Sequence, residues 1–437
     1  MDLPAASLRS LDDAAALLRP TDRLGIPLGP GHPAGFLKAL GARTDWVDLV
    51  VSGALLTDLY ELFTRPNVHY RSGFFGPAER FLRDAGADVQ FVPADFRRFG
   101  PFLDTLSPRV LATVASPPDP DGWMSLSLHA GATVGALHRA GADADRTLLV
   151  EVNEAFPRTL GLPPEHRHAI HVDEADVIVV SDAKPFTIDD PPPTEAEQAI
   201  ARHAAAFVTD GCTLQTGIGG VPGTVAALLA EGPGGDYGIH SEMFTTGLMR
   251  LQRAGKVSNA RKGVYDGFSV TTFAAGSAEL YDWLDGNDEV RFLPVDLVNA
   301  PHVIAANRQM VTINGALAVD LAGQVVADSL LGTQFSGIGG HEDFISSSGF
   351  ELSDRSLVCL PSMSLVAGQP VSRIVGQLPT GSIVTTPRHQ LDVVVTEHGV
   401  AELRGLTVRE RAQALAAIAD PTSRDELAAS AVGWPKG

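Results

Sequence analysis

The stretch between Cys212 and Met243 constrains the fold most strongly, because a short apolar run there ends in glycines and is followed by two further apolar runs. This order predicts a β-strand, a tight turn, an α-helix and a second strand. The glycines within 217–220 let the backbone turn sharply and expose its N–H groups, and Pro222 suits the first helical turn. Glu242 follows the second strand, and ligands of open α/β sheets bind at such carboxyl ends. The stretch therefore predicts a crevice that combines backbone donors with one carboxylate.

The predicted helix of this stretch has an apolar face, formed by Val225, Ala226, Leu228 and Leu229. The same order of strand, glycine turn and helix occurs in residues 24–41, LGIPLGPGHPAGFLKALG. Elsewhere, strand-like runs such as RVLATVAS and DVIVVSD alternate with helix-like segments. Such alternation is typical of βαβ units, so we expect an α/β fold with two open domains and largely parallel sheets.

A chain of 437 residues is too long for one ordinary hydrophobic core, which predicts two domains. The segment KPFTIDDPPP, residues 184–193, is rich in proline and lacks periodicity, as linkers do. Directly after it, Thr194 and Glu197 form a capping box that opens a helix. We therefore place the boundary near residue 190, which gives domains 1–190 and 191–437.

The composition excludes several classes of protein. The formal charge of −19, without a basic stripe, argues against a nucleic-acid partner. No apolar run reaches the length of a membrane span, and the N-terminus lacks the apolar core of a signal peptide. The two cysteines, Cys212 and Cys359, form no disulfide or zinc motif, and Cys212 is expected to be a buried thiol. These features predict a soluble, cytoplasmic protein.

The local residues leave open what the glycine turn and the carboxylate do. GIGGVPG is not a dinucleotide fingerprint, because proline stands at position 222 where a third glycine is needed. The turn suits phosphate or oxyanion binding, or it only packs a helix against a strand. Glu242 is either an ordinary strand-end carboxylate or a nucleophile, and Ser241 would suit the start of a helix as a cap.

A carboxylate is a useful nucleophile only when its target is already activated, as a thioester is. Attack by Glu242 would form an acyl-glutamyl anhydride, which the expelled thiolate would reopen to a glutamyl thioester. Backbone donors at glycine turns would stabilise the oxyanion of each step. The sequence GIGG occurs twice, at 217–220 and 337–340, so it supplies two such turns.

A histidine-rich segment is the remaining candidate for a metal site. His166, His168 and His171 precede Asp173 and Glu174, but their spacing matches no zinc pattern well. We interpret the segment as a solvated loop, and we expect no metal and no permanently bound cofactor.

A series of ordered blocks resembles the acetyl-CoA hydrolase/transferase family, the class I CoA-transferases, and especially the 4-hydroxybutyrate, butyrate and acetate CoA-transferases. The blocks are EVNEAFPRTLG, LQTGIGGVPGTV, GIHSEM, GKVSNARKG, INGALAVDLAGQV, FSGIGGHEDF, VSRIV, IVTTPRHQLDVVVTEHGVAELRG and RERAQAL. They extend over nearly the whole chain. The resemblance implies that the first α/β domain lies on the acyl and acceptor side, and that the second carries the catalytic glutamate and the CoA site.

The resemblance also implies roles for individual residues. The glutamate of the HSEM block, which forms the thioester with CoA in this family, is Glu242. The expected CoA-binding and oxyanion-binding positions are Gly217, Ile218, Gly219, Gly220, Val221, Asn299, Leu317, Ser336, Gly339 and Gly340. Two blocks depart from the family pattern: HEDFISSSG carries Glu342 before Asp343, and TTPRHQ carries a proline.

We therefore expect a CoA-transferase that moves CoA from an acyl-CoA to a small carboxylate such as acetate, butyrate or 4-hydroxybutyrate. The expected mechanism is ping-pong, with CoA thioesters as substrates, and the family implies a homodimer. An acyl-CoA hydrolase would use the same glutamate with water as the acceptor. A non-catalytic CoA-binding protein would keep the fold and bind CoA without turnover.

Overall fold

The computed structural model describes residues 3–189, 191–349, 351–366 and 368–432. The chain forms two compact units. The first unit comprises the chain up to Ile188 together with Val270–Val298, and the second comprises Asp189–Ser269 together with the chain from Asn299 onward. Each unit is built on a parallel sheet, which confirms the predicted α/β fold class.

The elements are numbered in chain order over the described ranges. The helices are α1 (Leu11–Ala16), α2 (Ala34–Gly41), α3 (Pro77–Asp84), α4 (Phe99–Leu106), α5 (Val134–Gly141), α6 (Glu195–Ala205), α7 (Gly220–Glu231), α8 (Thr246–Arg253), α9 (Ala278–Leu284), α10 (Val295–Val298), α11 (Pro301–Ile304), α12 (His341–Ser347), α13 (Val408–Ala417) and α14 (Pro421–Val432). The strands are β1 (Thr21–Leu28), β2 (Asp48–Ala54), β3 (Val68–Ser72), β4 (Val89–Phe91), β5 (Val110–Ala115), β6 (Trp123–Ser125), β7 (Thr147–Val152), β8 (Ala169–His171), β9 (Val177–Val180), β10 (Thr213–Thr216), β11 (Gly238–Ile239), β12 (Met243–Phe244), β13 (Ser269–Thr271), β14 (Phe273–Ala274), β15 (Val290–Phe292), β16 (Met310–Gly315), β17 (Ala318–Asp320), β18 (Val325–Val326), β19 (Ser329–Leu330), β20 (Thr333–Gln334), β21 (Arg355–Cys359), β22 (Met363–Val366), β23 (Gln369–Ser372), β24 (Ile374–Val375), β25 (Val393–Thr396) and β26 (Gly399–Glu402).

The first unit contains a parallel sheet with the strand order β4-β3-β2-β1-β5-β7-β9. Every residue of β5 (VLATVA) is buried, as expected for a strand covered on both faces. Leu24, Val51 and Leu149, on three different strands, belong to the hydrophobic core on one side of this sheet. The strand order reverses between β1 and β5.

The segment Val270–Val298 belongs to the first unit, although the predicted domain 191–437 included it. Backbone hydrogen bonds hold it there: the amides of Ala274, Phe292 and Val295 donate to the carbonyls of Leu128, Leu160 and Gly131 at 2.8, 2.8 and 2.6 Å. No linker-like composition marks the ends of this segment, so the sequence does not indicate that the chain returns here to the first unit. The predicted boundary near 190 falls at Asp190, which lies outside the described residues.

The second unit contains a sheet with the strand order β11-β10-β16-β21-β25-β26. All neighbouring pairs are parallel except β25 and β26 at the edge. The strand order reverses between β10 and β16, which is the point where open α/β sheets bind ligands. The helix before this sheet, α6, begins with the predicted capping box, in which Thr194 and Glu197 bond each other's backbone amides.

The strand, glycine turn and helix predicted for the stretch between Cys212 and Met243 are present as β10, the chain at 217–219 and α7. Val225, Ala226 and Leu229 are buried, as predicted. The prediction is wrong for Leu228, which lies on the side of α7 that faces solvent and is exposed. No helix in the described ranges is long and apolar enough to cross a membrane.

Candidate active site

The reversal between β10 and β16 places the ends of these two strands side by side in the second unit. Near these ends the side chains of Gln215 and Asn314 exchange amide hydrogen bonds at 3.3 and 3.4 Å. The chain leaves β10 into the glycine turn and leaves β16 toward Leu317. The glycine turn at 217–219 and Leu317 therefore follow two neighbouring strands, at the carboxyl end of the same sheet.

The turn after β10 is open around its first glycines. A Cβ atom on Gly217 or Gly219 would meet no other atom within 4 Å. Gly219 has a φ of +119°, a conformation that L-residues rarely adopt. Ile218 is exposed, whereas Val221 is buried in the core. The turn thus has room for a ligand to approach its backbone, while Val221 anchors it.

Ser241 fixes the chain next to Glu242. Its hydroxyl donates to the carbonyl of Met243 at 2.8 Å and accepts from the amide of Thr216, at the end of β10, at 3.4 Å. The next helix, α8, is capped by Thr245 and not by Ser241. Ser241 therefore joins the segment of Glu242 to the end of β10, and the alternative of a helix cap is wrong.

Three of the predicted site residues form one contact cluster. Asn299 donates from Nδ2 to Glu242 Oε2 at 2.6 Å. The backbone N–H of Gly340 also donates to the Glu242 carboxylate. Gly340 approaches so closely that a Cβ atom on it would overlap Glu242 Oε2. One carboxylate thus faces two N–H donors from two separate parts of the chain.

Burial and, to a smaller extent, the negative charge of Asp343 together raise the pKa of the Glu242 carboxyl to about 8. The hydrogen bonds from Asn299 and Gly340 act in the opposite direction, because they favour the ionised form. At pH 7 the carboxyl of the free protein is therefore mainly protonated. A carboxyl whose pKa is shifted in this way by burial and a nearby charge is a candidate for catalysis.

Asp343 is a site residue that the sequence prediction did not select. It lies in the first turn of α12, is fully buried, and accepts from Asn299 Nδ2 at 3.0 Å. The sequence signal for it was its position three residues after Gly340, which places it on the same side of the turn. Two carboxylates and one amide therefore form the centre of the site.

The other predicted residues make their hydrogen bonds elsewhere in the second unit. The amide of Leu317 donates to Val326 at 2.8 Å, and that of Ser336 donates to Asp328 at 2.9 Å. Gly339 has a φ of +55° and directly precedes Gly340, so its conformation turns the chain into α12. The backbone amides of Leu317 and Ser336 thus bond partners other than Glu242, Asn299 and Gly340.

The two blocks that depart from the family pattern meet in space. Thr386, of TTPRHQ, donates from Oγ1 to Glu342 Oε1 at 2.5 Å. The same hydroxyl lies 2.9 Å from His341 Nε2. Burial lowers the pKa of His341 to about 4, so the ring is neutral at pH 7. Glu342 therefore accepts a hydrogen bond from the second of these blocks, at Thr386.

The interpretation of the histidine-rich segment as a solvated loop is wrong for His168. This ring is buried in the first unit, lies 2.8 Å from the carbonyl of Ser127 and stacks on Phe292. Within the described ranges no group of three or more His, Cys, Asp or Glu side chains could hold a metal ion. Cys212 is buried, as predicted, and burial raises its pKa to about 12.

Comparison with known proteins gives consistent results over both units. The family model of the acetyl-CoA hydrolase/transferase C-terminal domain matches residues 276–431. A succinyl-CoA:cyclohexane-1-carboxylate CoA transferase from Geobacter metallireducens is 36% identical over 96% of this chain and 93% of its own. A 4-hydroxybutyrate coenzyme A transferase from Clostridium kluyveri is 39% identical over 71% of this chain and 70% of its own.

Among solved structures, RipA from Yersinia pestis superposes with a TM-score of 0.87 at 32% identity, covering 99% of each chain. The matched relatives define a class, the CoA-transferases, and the two parallel-sheet units fit that class. Because the similarity extends over nearly the whole length of a curated relative, this chain belongs to the acetyl-CoA hydrolase/transferase family. The resemblance inferred from the sequence blocks is thereby confirmed, and the chain is a CoA-transferase.

Proposed function

We propose that the protein transfers CoA from an acyl-CoA to a small carboxylate through a covalent thioester on Glu242. The observation that carries this proposal is the cluster in which one carboxylate faces the Nδ2 donor of Asn299 and the N–H of Gly340. A carboxylate in this setting can form and break acyl bonds while both donors stay in place.

In the first half-reaction, an oxygen of ionised Glu242 attacks the thioester carbon of acyl-CoA, and the carbon–sulfur bond breaks. The products are an acyl-glutamyl anhydride and the CoA thiolate. The thiolate then attacks the carboxyl carbon of Glu242 and expels the original acid as a carboxylate. Glu242 is left as the glutamyl-CoA thioester, and no oxidant, reductant or metal takes part.

The second half-reaction reverses these steps with a new carboxylate. The acceptor attacks the glutamyl carbon and releases the thiolate, and the thiolate then attacks the acyl carbon of the new anhydride. The new acyl-CoA leaves, and ionised Glu242 is restored. Each attack passes through a tetrahedral oxyanion, which the N–H groups of Asn299 and Gly340 are placed to stabilise.

The remaining predicted residues are proposed to bind CoA. The turn from Gly217 to Val221, which is open at Gly217 and Gly219, offers backbone amides to the ligand, and Gly219 has a conformation that suits close approach. Leu317 leaves the neighbouring strand β16 at the same sheet edge. Ser336 and Gly339 shape the chain that presents Gly340.

The relatives suggest the substrates. Those named above act, by name, on succinyl-CoA with cyclohexane-1-carboxylate and on 4-hydroxybutyrate. We propose CoA thioesters and small carboxylates as substrates here, and we assign the acyl and acceptor side to the predicted domain 1–190, as the family resemblance implies. A cytoplasmic homodimer is part of the same proposal, and it rests on the family resemblance and on the sequence composition.

The test is acyl exchange between an acyl-CoA and a set of unlabelled carboxylates, followed by chromatography of the CoA thioesters. We expect new acyl-CoA with parallel double-reciprocal plots, no activity in Glu242→Gln, and full activity in the control Glu426→Gln, whose side chain is exposed on α14. Release of CoA that does not depend on the acceptor would favour an acyl-CoA hydrolase. Binding of CoA without turnover in the wild type would contradict both activities.

A further inference from the structure

The amide of Asn299 bridges two carboxylates in the second unit. Its Nδ2 atom lies 2.6 Å from Glu242 Oε2 and 3.0 Å from Asp343 Oδ2. An amide nitrogen carries two hydrogens, so each carboxylate receives one. Asn299 and Asp343 are fully buried, so water does not compete for these bonds.

The orientation of this amide depends on the two N–H donations. Asn299 Oδ1 is buried and accepts no hydrogen bond within the described part of the chain, so it does not hold the side chain in place. If the amide were rotated by 180°, Oδ1 would face the two carboxylate oxygens and both hydrogen bonds would be lost. Glu242 changes its bonding during the reaction, whereas Asp343 does not. The hydrogen bond to Asp343 is therefore the one that can keep the Asn299 amide in this orientation throughout.

We propose that Asp343 is a positioning residue that holds the amide of Asn299 so that one N–H stays aimed at the reacting oxygen of Glu242. This inference rests on the proposed function of Glu242. Asp343 does not touch the substrate in this proposal. It acts through Asn299, from a fixed position in the first turn of α12.

The hydrogen bond between Asn299 and Asp343 matters most when Glu242 is acylated. As anhydride or thioester, the Glu242 carbonyl oxygen is a weaker acceptor than a carboxylate and holds the Asn299 amide less firmly. The bond to Asp343 is unchanged in these states, because Asp343 takes no part in the bond exchange. The donor thus stays in place for the next oxyanion, as preorganised catalysis requires.

Asp343 also has an electrostatic effect on Glu242. The negative charge of Asp343 raises the pKa of the Glu242 carboxyl, in the same direction as burial does. The neighbouring titratable groups are His240 on the chain before Glu242, and His341 and Glu342 on α12. His341 is neutral at pH 7, and Glu342 is bonded to Thr386. Removal of the Asp343 charge should therefore lower the pH at which Glu242 becomes a nucleophile.

The experiment measures single-turnover formation of the glutamyl-CoA adduct by quenched-flow mass spectrometry, from pH 6 to 10, in four full-length proteins. These are the wild type, Asp343→Asn, Asp343→Ala and Glu342→Gln. The Asp343→Asn variant keeps an acceptor for the Asn299 amide but loses the charge, so we expect the pH midpoint to fall by about one unit. The Asp343→Ala variant loses the acceptor as well, so we expect a rate about 10²-fold lower on the high-pH plateau. Glu342→Gln removes a neighbouring charge on the same helix that does not contact Asn299, and its midpoint should match the wild type.

Two further proteins distinguish positioning from loss of folding. In an Asn299→Ala background, Asp343→Ala should have little additional effect on the plateau rate. The amide through which Asp343 acts on Glu242 is already absent there. An equal loss in both backgrounds would mean a general structural role and would overturn the inference. A plateau rate for Asp343→Ala within twofold of the wild type, or an unmoved midpoint for Asp343→Asn, would overturn it as well. If the wild type itself forms no adduct at any pH, the proposed function fails, which is a different result.

Discussion

Gly340 has no room for a side chain, because the Glu242 carboxylate occupies the position where its Cβ atom would lie. The backbone at Gly340, with φ −91° and ψ 9°, is one that alanine can adopt. The requirement for glycine here is therefore set by the approach of the two residues and not by backbone strain. This separates the effect of a substitution on the site from its effect on the fold.

Gly340→Ala should displace the Glu242 carboxylate and take it out of reach of its two donors. We expect CoA transfer to fall by at least about 100-fold, comparable to the loss of an oxyanion donor. The measurement is steady-state exchange, with Gly235→Ala as the matched control, since a Cβ on Gly235 would make only ordinary contacts at 3.8 Å or more. Wild-type activity in Gly340→Ala would contradict the described geometry.

Asn299→Ala removes one of the two donors to Glu242. Because this hydrogen bond lowers the pKa of Glu242, its loss should raise that pKa above about 8 and shift the pH–rate profile upward. The rate on the plateau should also fall, by about 10²-fold. A pH profile of adduct formation checks both effects, and a shift toward lower pH would be the opposite of what the geometry requires.

Gly217 tests the proposed CoA contact of the first glycine turn. Nothing within 4 Å would meet a Cβ on Gly217, and its φ is not in the left-handed region, so Gly217→Ala should leave the melting temperature unchanged. If CoA approaches the backbone there, the added methyl group should raise KM for acyl-CoA several-fold. An unchanged KM would remove Gly217 from the proposed CoA site.

Glu242→Gln should stabilise the protein at high pH. The folded-state pKa of about 8 lies above the ordinary value of 4.5, so the folded protein binds this proton more tightly than the unfolded chain does. The stability of the wild type that depends on this proton is fully present below pH 4.5 and is lost as the pH rises to about 8. Glutamine carries no such charge.

The check is thermal unfolding of wild type and Glu242→Gln at pH 5 and pH 9. The variant should melt higher than the wild type at pH 9, by a margin of several degrees at about 2–4 °C per kcal/mol for a unit of this size. The margin should shrink toward pH 5. The same difference in melting temperature at both pH values would mean that burial does not raise the pKa of the Glu242 carboxyl.

Local patterns in the sequence were sufficient for much of the second unit. The apolar run, the glycines and Pro222 predicted β10, the turn and α7, because each depends on neighbouring residues. The capping box of Thr194 and Glu197 was predicted for the same reason. Glu242 was noticed because it is the acid at a predicted strand end beside a glycine turn, and the family resemblance then implied its role.

Features that depend on distant contacts were not predictable in this way. Asp343 owes its place in the site to Asn299, a residue 44 positions away, and no local pattern expresses that bond. The return of Val270–Val298 to the first unit depends on backbone hydrogen bonds to residues near 130 and 160. His168 looked solvated within a polar segment, yet the fold buries it against Phe292.

The most direct test of the central claim is intact-protein mass spectrometry after mixing with an acyl-CoA in the absence of acceptor. We expect the wild type to gain the mass of CoA less one water, and we expect a carboxylate acceptor to remove this mass. The Glu242→Gln variant should never gain it. Acyl transfer by a wild type that never carries CoA, or an adduct that persists in Glu242→Gln, would contradict the covalent role of Glu242.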